Sequence, residues 1–382
     1  MLLILNAGSS SIKFALYDLP LSERGKPRLE GQIAGIGNEP RFTVAGERLP
    51  QAGPIPDHEA AIAQLLDWLE AEGHARALAG AGHRVVHGGA RFVEPRRIDG
   101  ELIDALAALI PLAPLHQPHN IAAIRALAAR APGVPQVACF DTAFHATQPE
   151  EARRLPLPAD LDAKGLRRYG FHGISYEAIM ARLPDVAGGV PPRLVVAHLG
   201  QGASLAAILQ GRSIATTMGF STLDGLVMGT RPGALDPGVL LHLLQQGSSA
   251  AELEDLLYHR SGLLALSGIS GDMKTLLDTA APAAAAAVRH YCYRISRELG
   301  SLAAALGGLD ALVFTGGIGE HAAPVRAQVC RAAAWLGIEL DEAANDAGGP
   351  RLTRGGSGAT AWRIETDEQG IIARHTVRTL GL

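Results

Sequence analysis

The chain has 382 residues, 47% of them hydrophobic and 19% charged, with a formal net charge of −4. That length exceeds one ordinary domain, the composition is that of a soluble globular protein, and the charge offers no basic field for nucleic acid or an anionic membrane. No run approaches the roughly 20 apolar residues of a membrane helix. The three cysteines, Cys139, Cys292 and Cys330, are not paired at metal spacing and suit a reducing compartment. The apolar start, Met1 to Leu5, lacks a basic head and a full hydrophobic region, so a cytoplasmic location without a signal peptide is expected.

Residues 2–6 and 12–18 read as strands around the turn "NAGSSS". In the second, Ile12, Phe14 and Leu16 alternate with Lys13, Ala15 and Tyr17, the period of a half-buried strand. "EAAIAQLLDWLEAEG" (59–73) predicts an amphipathic helix ending at glycine, and "GHRVVHGG" (82–89) a short strand entering a glycine turn. A helix over 121–133 and a strand over 136–145 that runs into a polar loop follow. A domain boundary is expected near Glu150, in a stretch with two prolines and mixed charge. The opening pattern then returns: "RLVVAHLGQGASLAAILQGRSIAT" (193–216) predicts strand, small-residue turn, strand, glycine turn, strand. "LDALVFTGGIGEHAAPVRAQVCRAAAWLG" (309–337) predicts a strand, a double-glycine turn and a helix, and "IETDEQGIIARHTVRTL" a last helix. Two similar β-β-β-α halves imply an internal duplication with a cleft between them.

The turns suggest chemistry. "NAGSSS" is not the GxxxxGK[ST] phosphate loop, and no helix follows it. A turn of Gly, Ser and Asn between strands can nonetheless aim several backbone N–H groups at phosphate oxygens. Alone, it reads better as a plain tight turn. With the related turn "HLGQGAS" and the helix-opening "FTGGIGE", it fits a nucleotide gripped by two hairpins, the third turn passing near the nucleoside.

On these residues the chain resembles the acetate kinase (acetokinase) family, within the superfamily of acetate and sugar kinases, heat-shock ATPases and actin. The segments that carry the resemblance include "LNAGSSSIKF", "HRVVHGG", "PLAPLHQPHN", "FDTAFH", "RRYGFHG", "HLGQGASL", "GRSIATTMGF", "GLVMGTR", "SGLLALSGISGD", "VFTGGIGE" and "TDEQGIIAR", in order from end to end. The resemblance implies an α/β fold of duplicated ribonuclease H-like (actin-like ATPase) domains with an interdomain cleft. The first domain would span 1–150, completed by a C-terminal helix at about 367–382, and the nucleotide-binding domain 151–366. It also implies a homodimer. The implied reaction is reversible, direct in-line transfer of the ATP γ-phosphoryl to acetate, giving acetyl phosphate and ADP.

A carboxylic acid titrates near pH ~4–5, so the acceptor is already an anion and needs no strong base. The difficulty is bringing an anion up to a polyanion, which calls for positive charge, metal and alignment. Read alone, Arg84 and Arg231 are surface ion-pair residues. By resemblance they bind carboxylate and transferring phosphoryl, which their rigid forks suit. His172 matches the histidine that steadies the phosphoryl and His116 a supporting one, although a lone histidine beside apolar residues is more often a core residue. Asp141 and Glu368 match carboxylates near the acyl group and a Mg2+ (or Mn2+) ion, with Asn6 close to that metal. Glu368 reads equally as a first-turn helix glutamate. By resemblance the acyl pocket is Val86, Leu115, Phe171 and Thr222. The resemblance implies nucleotide and phosphate contacts on Ser11 and Lys13; on Gly200, Gln201 and Gly202; on Asp272, Met273 and Lys274; and on Gly316, Gly317, Ile318 and Gly319. His198 reads either as part of the second phosphate turn or, with His87 and His145, as structural. His83 and His87 share a strand face with no third ligand near in sequence, which argues against zinc.

Several positions depart from the family pattern. Gln201 stands for the asparagine of HLGNGAS. "MGFSTLDGL" has Thr222 for a proline and Asp224 for a glutamate, Tyr176 takes the place of the usual histidine after "GFHGTS", and Lys274 that of an arginine. These leave the charge centres intact and bear on acyl and nucleotide preference. The alternatives are a propionate, butyrate or other short-acyl kinase and, from a different class, a chaperone-type or regulatory ATPase. A sugar kinase would need an aspartate acting as base on a hydroxyl, where the paired arginines favour an anionic acceptor.

Overall fold

The computed structural model describes residues 1–8, 10–22, 25–50 and 53–382. Ser9, in the middle of the expected first phosphate turn, lies outside the described residues. The chain forms two compact units, Met1–Ala143 with Asp367–Leu382, and Phe144–Thr366.

The first unit holds strands β1 (Leu2–Ala7), β2 (Ser11–Tyr17), β3 (Leu29–Ala34), β4 (Arg41–Val44), β5 (Glu47–Arg48), β6 (Gly80–Val85), β7 (Arg96–Arg97) and β8 (Gln136–Phe140). They form one sheet in the order β5-β4-β3-β2-β1-β6-β8-β7. The hairpin β1–β2–β3 is antiparallel, whereas β6 lies parallel to β1 and β8 parallel to β6. Helices His58–Ala71 and Gln117–Arg130 pack on one face, where Ile62, Leu65, Leu69 and Leu127 join Leu3, Leu5, Phe14 and Leu16 in a buried core. The C-terminal helix Glu368–Leu380 packs against β1, β2, β6 and β8. It lies so close that a Cβ on Gly82 of β6 would collide with Thr376 and Ile372.

That helix explains a departure from the expected pattern. The alternation in β2 predicts a half-buried strand, yet Ala15 and Tyr17 are as buried as Phe14 and Leu16, and only Lys13 is open to solvent. Two expected strands also prove shorter. The segment 82–89 is strand only to Val85, so His87 lies beyond the strand that carries His83. The segment 136–145 is strand to Phe140 and then a 3-10 turn, Ala143–Thr147.

The second unit holds β9 (Arg193–Leu199), β10 (Ala203–Leu209), β11 (Arg212–Thr216), β12 (Ala311–Thr315) and β13 (Thr360–Arg363), in the order β11-β10-β9-β12-β13. Again a three-strand antiparallel meander is extended by two parallel strands. Strand for strand this repeats β3-β2-β1-β6-β8, so the duplication read from two glycine turns is present in the topology of the sheets. The double glycine at 316–317 is not a separate turn. It forms the start of a short helix, Gly316–His321, followed by a second helix, Ala323–Ala332.

Candidate active site

In the first unit the ends of β1, β6 and β8 bring three polar side chains together. Arg84, on β6, donates from Nε to Asp141 Oδ2 at 2.9 Å, and its Nη2 makes a very short contact to the same oxygen. Its Nη1 donates to Asn6 Oδ1 at 3.2 Å. Asp141 follows β8 and is held by its own N–H on the Val85 carbonyl. Its side chain is 1% exposed and that of Arg84 20%. Burial alone would lower the Arg84 pKa, but Asp141 and Glu368 act in the opposite direction and prevail, so the guanidinium pKa sits well above its ordinary value. Glu368 opens the C-terminal helix, half-buried, behind the N-cap Asp367.

The loops carrying these residues are tied by a helix. Asn120 accepts from the Val86 N–H at 3.0 Å and donates to the Ala7 carbonyl at 2.8 Å, while Gln117 donates to the His87 carbonyl. Val86 is buried, Leu115 is half-buried, and His116 is the N-cap of the helix Gln117–Arg130. Ser11 and exposed Lys13 lie on β2, where Lys13 pairs in register with Asn6. The turn between β1 and β2 closes through the Gly8 N–H on Ser11 and holds His58, whose Nε2 is 2.6 Å from the Gly8 carbonyl. His58 stacks on His119. Neither His58 nor Asn120 was marked by its local sequence.

In the second unit the centre is the turn between β9 and β10. Gly200 donates to the Gly202 carbonyl and closes it. A Cβ on Gly202 would lie 2.9 Å from Arg231 Nη2 and 3.3 Å from His172 Nε2, so this glycine leaves room for both groups at the turn. His172 is the N-cap of the helix Gly173–Ala187 and has φ 60, a left-handed conformation uncommon outside glycine and often found at functional positions. Its Nδ1 bonds Ser204 Oγ at 2.8 Å, and its ring stacks on His198 at 4.3 Å. His198 bonds Ser175, Ser175 bonds Thr366, and the Thr366 N–H donates to Glu320. Glu320 Oε1 also accepts from the Thr315 hydroxyl and the Gly316 N–H, fixing the "TGGIGE" helix start. Fully buried Arg326 caps the same helix through the Gly319 and Glu320 carbonyls.

Arg231 is held by one bond, from Nη1 to the Thr222 carbonyl at 2.8 Å. Burial pulls its pKa down from the ordinary value, and Tyr258 pulls it up. Among the described residues it makes no ion pair. Thr222 is half-buried, and burial raises the pKa of the nearby Tyr258 phenol above its ordinary value, against the opposing pull of Arg231. Asp224 pairs with Arg168 at 3.1 Å. Phe171 is buried, its carbonyl taken by His145.

Gly200, Gln201, Asp272, Met273, Lys274, Gly317 and Ile318 line a cavity of about 850 Å³ with Leu277, Asp278 and His321. Gly202, Gly316, Gly319 and His198 do not line it. Asp272 caps the helix Met273–Leu277 through the Thr275 N–H, and that bond, with one from the Thr275 hydroxyl, holds its pKa below the ordinary carboxylate value.

The model of the acetokinase family matches residues 1–374. The chain belongs to the acetokinase family. An acetate kinase of Rhodopseudomonas palustris is 54% identical over 99% of this chain and 98% of its own length. The crystal structure of Porphyromonas gingivalis acetate kinase superposes with a TM-score of 0.90 at 36% identity, covering 99% of both chains. A propionate kinase from Francisella tularensis gives a TM-score of 0.93 at 33% identity, also over 99% of both. The α/β architecture is thus that of the acetokinases, with duplicated actin-like domains, and the protein is a kinase that acts on a carboxylate.

Proposed function

We propose that the protein transfers the γ-phosphoryl of ATP to acetate, reversibly and by direct in-line displacement. An acetate oxygen forms a bond to the γ-phosphorus, the bond to the ADP oxygen breaks, and no proton need move, because the acceptor is already ionised. The observation that carries this reading is the pairing of Arg231 Nη2 and His172 Nε2 at the open Gly202, two donors suited to the equatorial oxygens of a phosphoryl group in transfer. Arg84, oriented by Asp141 and Asn6, receives the acyl carboxylate; Val86 and Leu115 in the first unit, and Phe171 and Thr222 in the second, are the residues we assign to the acyl chain. The cavity along Gly200, Asp272, Lys274 and Ile318 takes the nucleotide. Ser11 and Lys13 contact phosphate, and His116 plays a supporting part.

Among the described residues no three His, Cys, Asp or Glu side chains gather as a metal site. Magnesium does not require such a cluster, since one or two carboxylates with substrate phosphate suffice. The donor set fits that ion: Glu368 offers a half-buried carboxylate at a helix start, and the Asn6 amide oxygen has a second lone pair beside the one facing Arg84. These two would hold Mg2+ or Mn2+, which when bound neutralises phosphate charge.

A second reading, a preference for propionate or a longer acid, has support in the Francisella relative and in Thr222 at the pocket wall. We infer a homodimer as well. The helix Pro237–Gln245 buries none of its nine residues and exposes Val239, Leu241 and Leu244, an apolar face that monomers seldom leave open. Light scattering after gel filtration tests this. We place the protein in the cytoplasm, a reducing compartment that suits three buried cysteines held outside any disulfide. A coupled assay with ATP across acetate, propionate and butyrate tests the whole reading. Turnover of acetate is the expected result; efficient use of longer acids with rejection of acetate would replace it with the second reading.

A further inference from the structure

Tyr176 is fully buried on the helix Gly173–Ala187, one turn beyond His172, and its N–H bonds the His172 carbonyl. Its ring sits in a core of Ile179, Leu183, Leu194 and Val196 and meets the His145 ring edge-on at 5.4 Å. Its hydroxyl makes a short hydrogen bond to Ser204 Oγ, and Ser204 Oγ lies 2.8 Å from His172 Nδ1. Ser204, on β10, is also fully buried. Three side chains thus form one line from the core to Gly202: phenol, hydroxyl, imidazole.

The geometry points to Tyr176 as a positioning residue that fixes the tautomer and orientation of His172 through Ser204, a role that rests on the reading of His172 given above. We take the phenol as the donor in this short bond, which places its buried hydrogen on Ser204 Oγ. With a lone pair of Ser204 so engaged, its own hydrogen turns to the remaining neighbour, His172 Nδ1. A neutral imidazole that accepts at Nδ1 carries its hydrogen on Nε2. That is the nitrogen beside Arg231 at Gly202, and it becomes a donor toward a phosphoryl oxygen. Burial raises the Tyr176 pKa well above its ordinary value, so the phenol keeps its hydrogen throughout the working range. Rigid packing of the tyrosine ring then holds the hydroxyl pair in line. With the stacking on His198, this helps to hold in place a histidine whose backbone is left-handed.

Tyr176→Phe keeps the ring and removes the donor. We expect kcat to fall roughly tenfold to a hundredfold, as for a small misplacement of a catalytic group, with KM for acetate and ATP nearly unchanged. The readout that simple packing would not move is the 15N spectrum of the histidine-labelled protein, with His172→Asn assigning the His172 signals by difference. In the wild type Nδ1 is expected to appear unprotonated and Nε2 protonated; in Tyr176→Phe both should move toward a tautomer mixture. Ser204→Ala breaks the line at its centre and should give the same two changes, and it serves if Tyr176→Phe fails to fold. Wild-type kcat with unmoved His172 signals in the folded variant overturns the inference while leaving the site reading intact. Full activity of His172→Asn overturns both.

Discussion

The two arginines proposed for catalysis are held in opposite ways. Arg84 in the first unit is locked to a buried carboxylate, takes Asn6 with its other arm, and has Glu368 near enough to favour its charge. Arg231 in the second unit has a single carbonyl for a partner and, among the described residues, no ion pair. Removing a charge from water without a counter-ion is costly, and a group kept in that condition interacts strongly with any anion that arrives. The comparison separates two tasks. A compensated arginine is a rigid fork with little net field, suited to orienting a small carboxylate. An uncompensated one is a source of field, suited to charge that builds on a phosphoryl group in flight.

The largest effects should come from removing either charge. Arg231→Ala and Arg84→Ala should each lower kcat/KM by about 10²–10⁴, the range for loss of a preorganised charged donor, in a coupled assay with acetate and ATP. Arg231→Lys should recover part of the rate, since charge is what the site lacks there. Arg84→Lys should recover less, because a lysine cannot reproduce the fork on Asp141 and Asn6. Equal rescue at both positions would contradict the division of tasks.

Gly202→Ala sharpens the comparison without deleting a charge. The added Cβ would come within 2.9 Å of Arg231 Nη2, forcing that side chain or His172 to shift. A fall in kcat of roughly ten to a hundredfold at intact fold is expected, read by steady-state kinetics. A smaller effect is expected at Thr222, whose carbonyl holds Arg231. Thr222→Pro keeps that carbonyl and restores an apolar wall. The ratio of kcat/KM for acetate and propionate should change within about 1–3 kcal/mol, since one methylene is worth no more.

Much of this was legible in the sequence because it is local. The glycines of "NAGSSS" and "HLGQGAS" and the two-residue period around them gave the paired hairpins, and the family motifs gave the residues at their tips. What local patterns could not reveal are contacts between distant segments. Asn120 reaches the Ala7 carbonyl across 113 positions, Ser175 meets Thr366 across 191, and His58 supports a turn 50 residues earlier. The burial of both faces of β2 was hidden for the same reason: the helix that covers it is the last in the chain. The 25-residue helix Pro282–Leu306 went unseen because its alanine-rich opening blurs the boundary between an apolar stripe and a polar one. Tyr176 stood out in the sequence only as a departure from the family pattern, and its bond to Ser204 gives it a position in the site.

Acid should also distinguish the two units, though mildly. His83 and His87 in the first unit and His145 in the second are buried, and burial lowers each pKa to about 4. Each therefore stays neutral when folded while the unfolded chain takes up a proton near pH ~6.5. Their stabilising effect is complete above about pH 6.5 and is lost as the pH falls toward 4, with the greater share in the first unit. Hydrogen exchange at pH 7 and 5 should show protection falling more around β6 than around β11.

The account is tested most directly by the unfolding free energies of Arg84→Ala and Arg231→Ala, measured side by side in urea. Deleting Arg84 leaves Asp141 buried without its guanidinium and should cost roughly 3–5 kcal/mol, the range for breaking one side of a buried pair. Deleting Arg231 removes a cation that has no counter-ion and should leave stability unchanged or raise it, even as turnover collapses. Equal losses in the two variants, or a loss confined to Arg231→Ala, would contradict the account.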